Sequence, residues 1–316
     1  MMLKSLYDVA GRVKNICIRK PWPLHRDEDM TPFFIVGAGR SGTTLLRRIL
    51  VASKQVHIPP ETYVLAQVIE HYKRNAYQDW QDLVRDCMAL FEMHPEFDTF
   101  QISLRPLLPR LRALPEHERS LAKMLDMFYR YHAEQTGMPS ERWGDKTPIN
   151  TFALDAIVSV FPKAQFIHLL RDGVDVVASC VQRGLYSDIK AAANRWLRAV
   201  QAVQDFSGRY GDQCYQLRYE SLAEQPEHEV RALCDWLKLS FSSEMLEQRS
   251  HVARLGDMNY AHYASSTQAL SAKFVGRGRN QLSAEEKRWL QGYIGSLLQA
   301  QGYRRADEEE HDKTDI

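Results

Sequence analysis

Pro32-Phe33-Phe34-Ile35-Val36-Gly37-Ala38-Gly39-Arg40-Ser41-Gly42-Thr43-Thr44-Leu45-Leu46-Arg47-Arg48-Ile49-Leu50 is the stretch from which the fold can be read. Phe33 to Val36 is an apolar run suited to a short buried strand. Gly37, Gly39 and Gly42 then supply a turn in which few side chains block an incoming anion. From Leu45 the apolar residues return at helical spacing, with Leu45, Leu46, Ile49 and Leu50 on one face. Strand, glycine loop and helix N-terminus together form a phosphate cradle, because free backbone N–H groups and the positive end of the helix dipole face the same point. The hydroxyls of Ser41, Thr43 and Thr44 add donors there.

The spacing matches the nucleotide triphosphate loop GxxxxGK[ST] at Gly37 and Gly42, with one departure: Thr43 stands where the lysine should be. That lysine reaches the β- and γ-phosphates, so its replacement argues against a triphosphate. A cation sits inside the loop instead, at Arg40, which favours a short anion carrying a single 5′ group.

Working outward, the 316 residues are 44% hydrophobic and 26% charged, enough for one large α/β domain with a helical insertion. A net charge of +1 gives no global field to draw the protein to nucleic acid, so any anion site must be local. Five cysteines, an odd and scattered set without a CxxC pair, read as reduced thiols in a cytoplasmic protein rather than as a disulfide frame or a zinc site. No apolar run approaches membrane-spanning length and no signal peptide is visible.

Residues 1–20 are basic with Leu3, Leu6, Val9, Val13 and Ile16 at helical spacing; 1–30 reads as a helical extension, closed by a Pro21-to-Asp29 linker. Val56 to Ile58 is a short extended segment stiffened by Pro59 and Pro60. Residues 63–140 read as a helical insertion, with helices over Thr62–Asn75, Asp79–Met93 and Ser120–Gln135. A second α/β unit starts at Arg142-Trp143-Gly144-Asp145-Lys146: a helix from about Pro148 to Phe161, a strand Ala164–Leu170, and a helix from Gly173 to about Gly184. Helix Lys190–Tyr210, strand Cys214–Tyr219 and helix Glu227–Leu237 come next. The stretch 250–282 reads as irregular. Ser283 and Glu286 form a capping box for a last helix, Ala284–Gln301. The main domain is 31–303, and 304–316 reads as a disordered acidic tail. The expected architecture is a P-loop-type three-layer α/β fold: a central, mostly parallel sheet with ligand at the carboxyl ends of its strands.

A nucleotide with phosphates at both the 5′ and 3′ positions needs two anion sites, and the second unit offers the other. Arg171 closes a strand, and Ser179 and Arg183 follow eight and twelve residues later as i, i+4 neighbours on one helix face. Ordinary surface arginines are the bland alternative.

Gly-Arg-Ser-Gly-Thr-Thr-Leu-Leu after an apolar strand resembles the 5′-phosphosulfate loop of sulfotransferases that use 3′-phosphoadenosine-5′-phosphosulfate (PAPS), and its arginine is closest to the pattern of tyrosylprotein sulfotransferases and bacterial relatives. Leu169 to Ser179 resembles the family's 3′-phosphate segment, and Arg183 matches a further arginine of the tyrosylprotein branch. Leu217 to Leu222 resembles the third strand end, where Tyr219 would contact the nucleotide; a buried strand tyrosine is an equal alternative. Ala269 to Arg279 resembles the loop that folds over the nucleotide, with Lys273 and Arg277 as phosphate ligands and Arg279 as a third candidate. The resemblance implies PAPS as co-substrate, adenosine 3′,5′-bisphosphate as product and no metal, with Arg40 through Leu45 (Arg40, Ser41, Gly42, Thr43, Thr44, Leu45) on the donor.

It also implies a catalytic set. Arg40 and Lys146 supply positive charge at the transferring group, Lys146 from the loop Gly144 to Pro148. Glu61, in Pro59-Pro60-Glu61-Thr62, is the base for the acceptor hydroxyl, with His57 in reserve. The partner expected is a hydroxyl-bearing acceptor: small molecule, carbohydrate, lipid or peptide. Peripheral membrane contact through the N-terminal helix and a homodimer both stay open. A P-loop kinase or NTPase, or a nucleotide-binding protein without catalysis, are the competing readings.

Overall fold

A computed structural model describes residues 20–26, 29–247 and 274–308. Strand β1 (Phe33–Val36) lies at the centre of five parallel strands among the described residues. The others are β2 (Val56–His57), β3 (Arg142–Lys146), β4 (Gln165–Leu170) and β5 (Cys214–Arg218), in the order β2-β3-β1-β4-β5. Phe33 pairs with Gly144 on one side and Gln165 on the other, and Ile35 with Lys146 and Ile167. The chain order reverses at β1, and the crevice at such a switch point is where ligands bind in open α/β sheets.

Alternation along β1 divides the core. Phe33 and Ile35 face one layer with helix α1 (Thr43–Ala52), while Phe34 and Val36 face the other. That second face carries the helical block α2 (Leu65–Asn75), α3 (Trp80–Glu92), α4 (Leu107–Arg112) and α5 (Leu121–Gln135), with α6 (Leu154–Val160) beside it. A third cluster joins α7 (Gly173–Gln182), α8 (Ile189–Ser207) and the C-terminal helix, residues 284–300. After β5 come α9 (Tyr219–Glu224) and α10 (Pro226–Leu237); α11 (Arg277–Gln281) and α12 (Ala284–Ala300) close the described chain, and the capping box of Ser283 and Glu286 is formed.

The structure departs from the sequence reading in several places. Strand β3, Arg-Trp-Gly-Asp-Lys, carries too much charge to read as a strand, yet Trp143 through Lys146 are all buried. The expected helix from Pro148 to Phe161 is a 3₁₀ turn, Pro148–Phe152, followed by α6, because Ala153 leaves the helical region. Helix α2 starts at Leu65 rather than Thr62, since Thr62 is tied to β3. Tyr219 opens α9 instead of ending β5, and Arg183 is the exposed C-cap of α7 rather than a residue within it.

The linker expected before β1 is a strap instead. Trp22 meets Trp80 edge to face at 5.5 Å, and the Pro23 and Leu24 carbonyls accept the first N–H groups of α5. Packing also continues past residue 303: Ala306 is wholly buried, and its N–H donates to Gln291. The expected N-terminal helix, Lys273 and the end of the acidic tail lie outside the described residues.

Candidate active site

The glycine loop is fixed at both ends. Gly37 (φ +139°) lies so close to β4 that a Cβ there would sit 2.6 Å from the Leu169 carbonyl oxygen. Its N–H donates to the Thr151 hydroxyl at 2.8 Å, which donates back to the Gly37 carbonyl at 3.1 Å. Gly42 (φ +97°) is the left-handed residue that starts α1, with the Tyr219 ring 2.7 Å from where a Cβ would stand. No side chain caps α1 and no acidic residue occupies its first turn, so the N–H groups of Thr43, Thr44 and Leu45 face the cradle beneath the positive dipole end. Ser41 is buried within the loop.

One flank of the loop holds an ion pair. The Lys146 ammonium, at the carboxyl end of β3 and without solvent exposure, donates to the Glu61 carboxylate and, at 3.2 Å, to the Thr44 hydroxyl. Glu61, Lys146 and Thr44, from three separate segments, therefore meet at the first turn of α1.

A buried network fixes this pair from behind. Asp145, 1% exposed, accepts hydrogen bonds from the hydroxyls of Tyr129 (2.7 Å) and Thr62 (2.9 Å) and from the Asn150 amide (2.9 Å). Burial pushes its carboxyl above the usual range, against the three hydroxyl donors Tyr129, Thr147 and Thr62 that pull it down. The Thr62 N–H donates to the Thr147 hydroxyl. The residues flanking Glu61 and Lys146 in sequence are thus bonded to each other, and the Tyr129 hydroxyl brings α5 into the same network.

On the other flank, Arg40 (φ +71°) donates through Nε to the Ser179 hydroxyl at 3.3 Å. Arg171 donates to the Arg40 carbonyl at 3.1 Å and lies over the Tyr219 ring, 4.3 Å from its centroid. The structure therefore brings Arg40, Arg171, Ser179 and Tyr219 into one cluster. Burial raises the Tyr219 phenol, and raises the nearby Cys180 thiol to about 11 although Arg40 and Arg171 favour its thiolate. The Arg40 side chain donates to Ser179, beside Arg171, whereas the sequence reading set it with Lys146 at the transferring group.

Three candidates stand apart. His57 is 2% exposed and faces His132, its Nε2 2.8 Å from Nδ1 of that ring, so it does not share the Glu61 cluster. Burial holds His57 down to about 2 and His132 down to about 4. Arg277 is exposed, 5.6 Å over the Phe274 ring, while Arg279 is buried against Asp172 at 2.5 Å and so is committed within the protein. Asp145, Thr62, Tyr129 and Asp175 were missed in the sequence. For three of them the only signal was adjacency: Asp145 and Thr62 sit beside Lys146 and Glu61, and Asp175 lies four residues after Arg171; nothing local marks Tyr129.

A glycine cradle at the switch point of a parallel sheet, with an ammonium–carboxylate pair on one flank and guanidinium groups on the other, defines a P-loop-type transferase acting on an anionic nucleotide. The chain belongs to the sulfotransferase family, whose model matches residues 32–243, and it is an enzyme of sulfuryl transfer. Protein-tyrosine sulfotransferase 1 of Danio rerio is 25% identical over 272 residues, covering 84% of this chain and 68% of that protein. The omega-hydroxy-beta-dihydromenaquinone-9 sulfotransferase of Mycobacterium bovis is 24% identical, covering 87% and 76%. The sulfotransferase domain of the Synechococcus PCC 7002 olefin synthase shares the fold with a TM-score of 0.61 at 20% identity, covering 90% of this chain and 99% of that domain. No helix among the described residues is long and apolar enough to cross a membrane.

Proposed function

We propose that this sulfotransferase takes its sulfuryl group from PAPS and passes it to an acceptor hydroxyl by in-line displacement, with Glu61 as base. The observation that carries the reading is the meeting of Glu61, Lys146 and Thr44 at the first turn of α1. A carboxylate able to take a proton and an ammonium able to meet developing negative charge stand together where a helix N-terminus favours an anion. The acceptor oxygen forms its bond to sulfur as the bond from sulfur to the bridging oxygen breaks. The hydroxyl proton passes to Glu61, and the electron pair stays on the departing nucleotide phosphate, beside Lys146. Arg171, Ser179 and Arg40 hold the 3′-phosphate, and Tyr219 shapes the wall beneath it.

The donor fits these residues: two cationic clusters flank one loop, each within hydrogen-bond reach of it through Thr44 or Arg40. The described cysteines, Cys87, Cys180, Cys214 and Cys234, are free thiols, which supports a cytoplasmic protein. The deciding assay incubates the protein with radiolabelled PAPS and separate hydroxyl acceptors: a tyrosine peptide, a long-chain alcohol and a carbohydrate. Label on one acceptor, lost in Glu61→Gln, is expected. Label that persists in Glu61→Gln at the wild-type rate removes Glu61 as base, and tighter binding of Mg-ATP than of adenosine 3′,5′-bisphosphate removes the donor assignment.

A further inference from the structure

The segment from Phe274 to Arg279 is fastened to the start of α7 by two buried carboxylates. Asp175, 2% exposed, accepts the N–H of Gly276 at 2.9 Å on one oxygen and that of Gly278 at 2.7 Å on the other. The oxygen that meets Gly276 also accepts from Arg171 at 3.3 Å. The same Arg171 nitrogen closes the ring by donating to the Phe274 carbonyl at 2.8 Å. Asp172 secures the far end: one oxygen caps α7 through the Val174 N–H and the other meets Arg279. Contact is so close that a Cβ on Gly278 would stand 2.6 Å from the Val174 carbonyl oxygen. Two carboxylates three residues apart, both nearly without exposure, thus fix one arginine and one loop relative to each other.

We propose that Asp175 is a positioning residue for nucleotide recognition: it sets the guanidinium of Arg171 and the 274–279 segment in one rigid unit, so that affinity for a 3′-phosphate depends on it although it touches no ligand. This rests on the assignment of Arg171 to the 3′-phosphate. A carboxylate aimed at a phosphate would repel it, but Asp175 is turned to Arg171 and to two backbone donors and has its charge satisfied by them. Arg171 is left with its fork fixed on two sides, which lowers the ordering cost of gripping an anion.

The test compares adenosine 3′,5′-bisphosphate with adenosine 5′-monophosphate, which lacks only the 3′ group, by calorimetric titration of the full chain. Asp175→Asn is expected to weaken the bisphosphate about tenfold and the monophosphate less than twofold. Gly278→Ala, which pushes the segment off α7 without removing a charge, is expected to give the same selective loss, and it decides the matter if the Asp175 variant fails to melt cooperatively. Equal losses for both nucleotides, or none for either, overturn the proposal. Arg171→Ala separates the two layers of the argument. If it keeps the wild-type preference for the bisphosphate, the 3′-phosphate assignment falls and the inference with it. If it loses the preference while Asp175→Asn and Gly278→Ala retain theirs, only the inference falls.

Discussion

Tyr129→Phe removes one oxygen from the buried network around Asp145 and leaves the rest of the side chain in place. The Tyr129 ring lies flat on Trp143, 3.8 Å between centroids and 6° from parallel, and a phenylalanine keeps that stack. What is lost is the 2.7 Å hydrogen bond to Asp145, one of three holding a carboxylate that water does not reach. A hydrogen bond to a charged acceptor contributes about 1.5–3 kcal/mol, and a buried acceptor left short of a donor adds desolvation to that loss. The Thr62 hydroxyl still serves the same oxygen, so about 2 kcal/mol is the expected destabilisation. For a chain of this size that is a fall in Tm of roughly 3 °C. Urea unfolding followed by tryptophan fluorescence reads it directly. Because Thr62 and Asp145 adjoin Glu61 and Lys146, turnover should fall several-fold while affinity for adenosine 3′,5′-bisphosphate stays within twofold. An unfolding free energy within about 0.5 kcal/mol of wild type would refute the claim that Asp145 depends on this donor.

Glu61→Gln should lower turnover by about two decades or more with nucleotide affinity nearly intact, measured as initial rate of label transfer and by calorimetry; near-normal turnover moves the proton elsewhere. Gly42→Ala should weaken adenosine 3′,5′-bisphosphate by tenfold or so, since the residue sits at φ +97° and its new methyl meets the Tyr219 ring; unchanged affinity would show that the loop relaxes without harm. Acid should act through the buried histidines. His132 is neutral in the fold down to about pH 4, whereas the unfolded chain takes up that proton below about 6.5, so stability is lost as pH falls between those values at about 1.4 kcal/mol per unit. The stability gap between wild type and His132→Gln should therefore narrow by about 1 kcal/mol from pH 7.5 to 5.5 in urea titrations, and a constant gap would mean that the imidazole titrates alike in the folded and unfolded states.

The elements legible beforehand were those whose side chains and backbone speak the same language. Phe33 to Val36, the glycines after it and the stripe of α1 all point one way, and the cradle formed as read. Strand β3 did not show because its Asp and Lys are there for bonds to distant residues, Tyr129 and Glu61, that no local pattern carries. Arg171 and Lys146 were singled out through their place at strand ends and Ser179 through its spacing from Arg171, whereas Asp175 was hidden by looking like any helix carboxylate. His57 was misjudged for the opposite reason: proximity to Glu61 along the chain says nothing about facing it, and in β2 its side chain points to α5. Arg279 illustrates the same limit, a loop cation whose partner, Asp172, lies 107 residues away.

The helical block joins the network behind the reacting pair through the Tyr129 phenolic oxygen, which donates to Asp145. Exchange of residues 65–135 for the corresponding block of a relative would change the layer packed on this face of the sheet while leaving the glycine loop, Arg171 and the 274–279 segment as they are. Such a transplant keeps this network whole only if it brings a donor to the position of Tyr129, since Asp145 would otherwise be left with Thr62 and Asn150 alone of its three bonds.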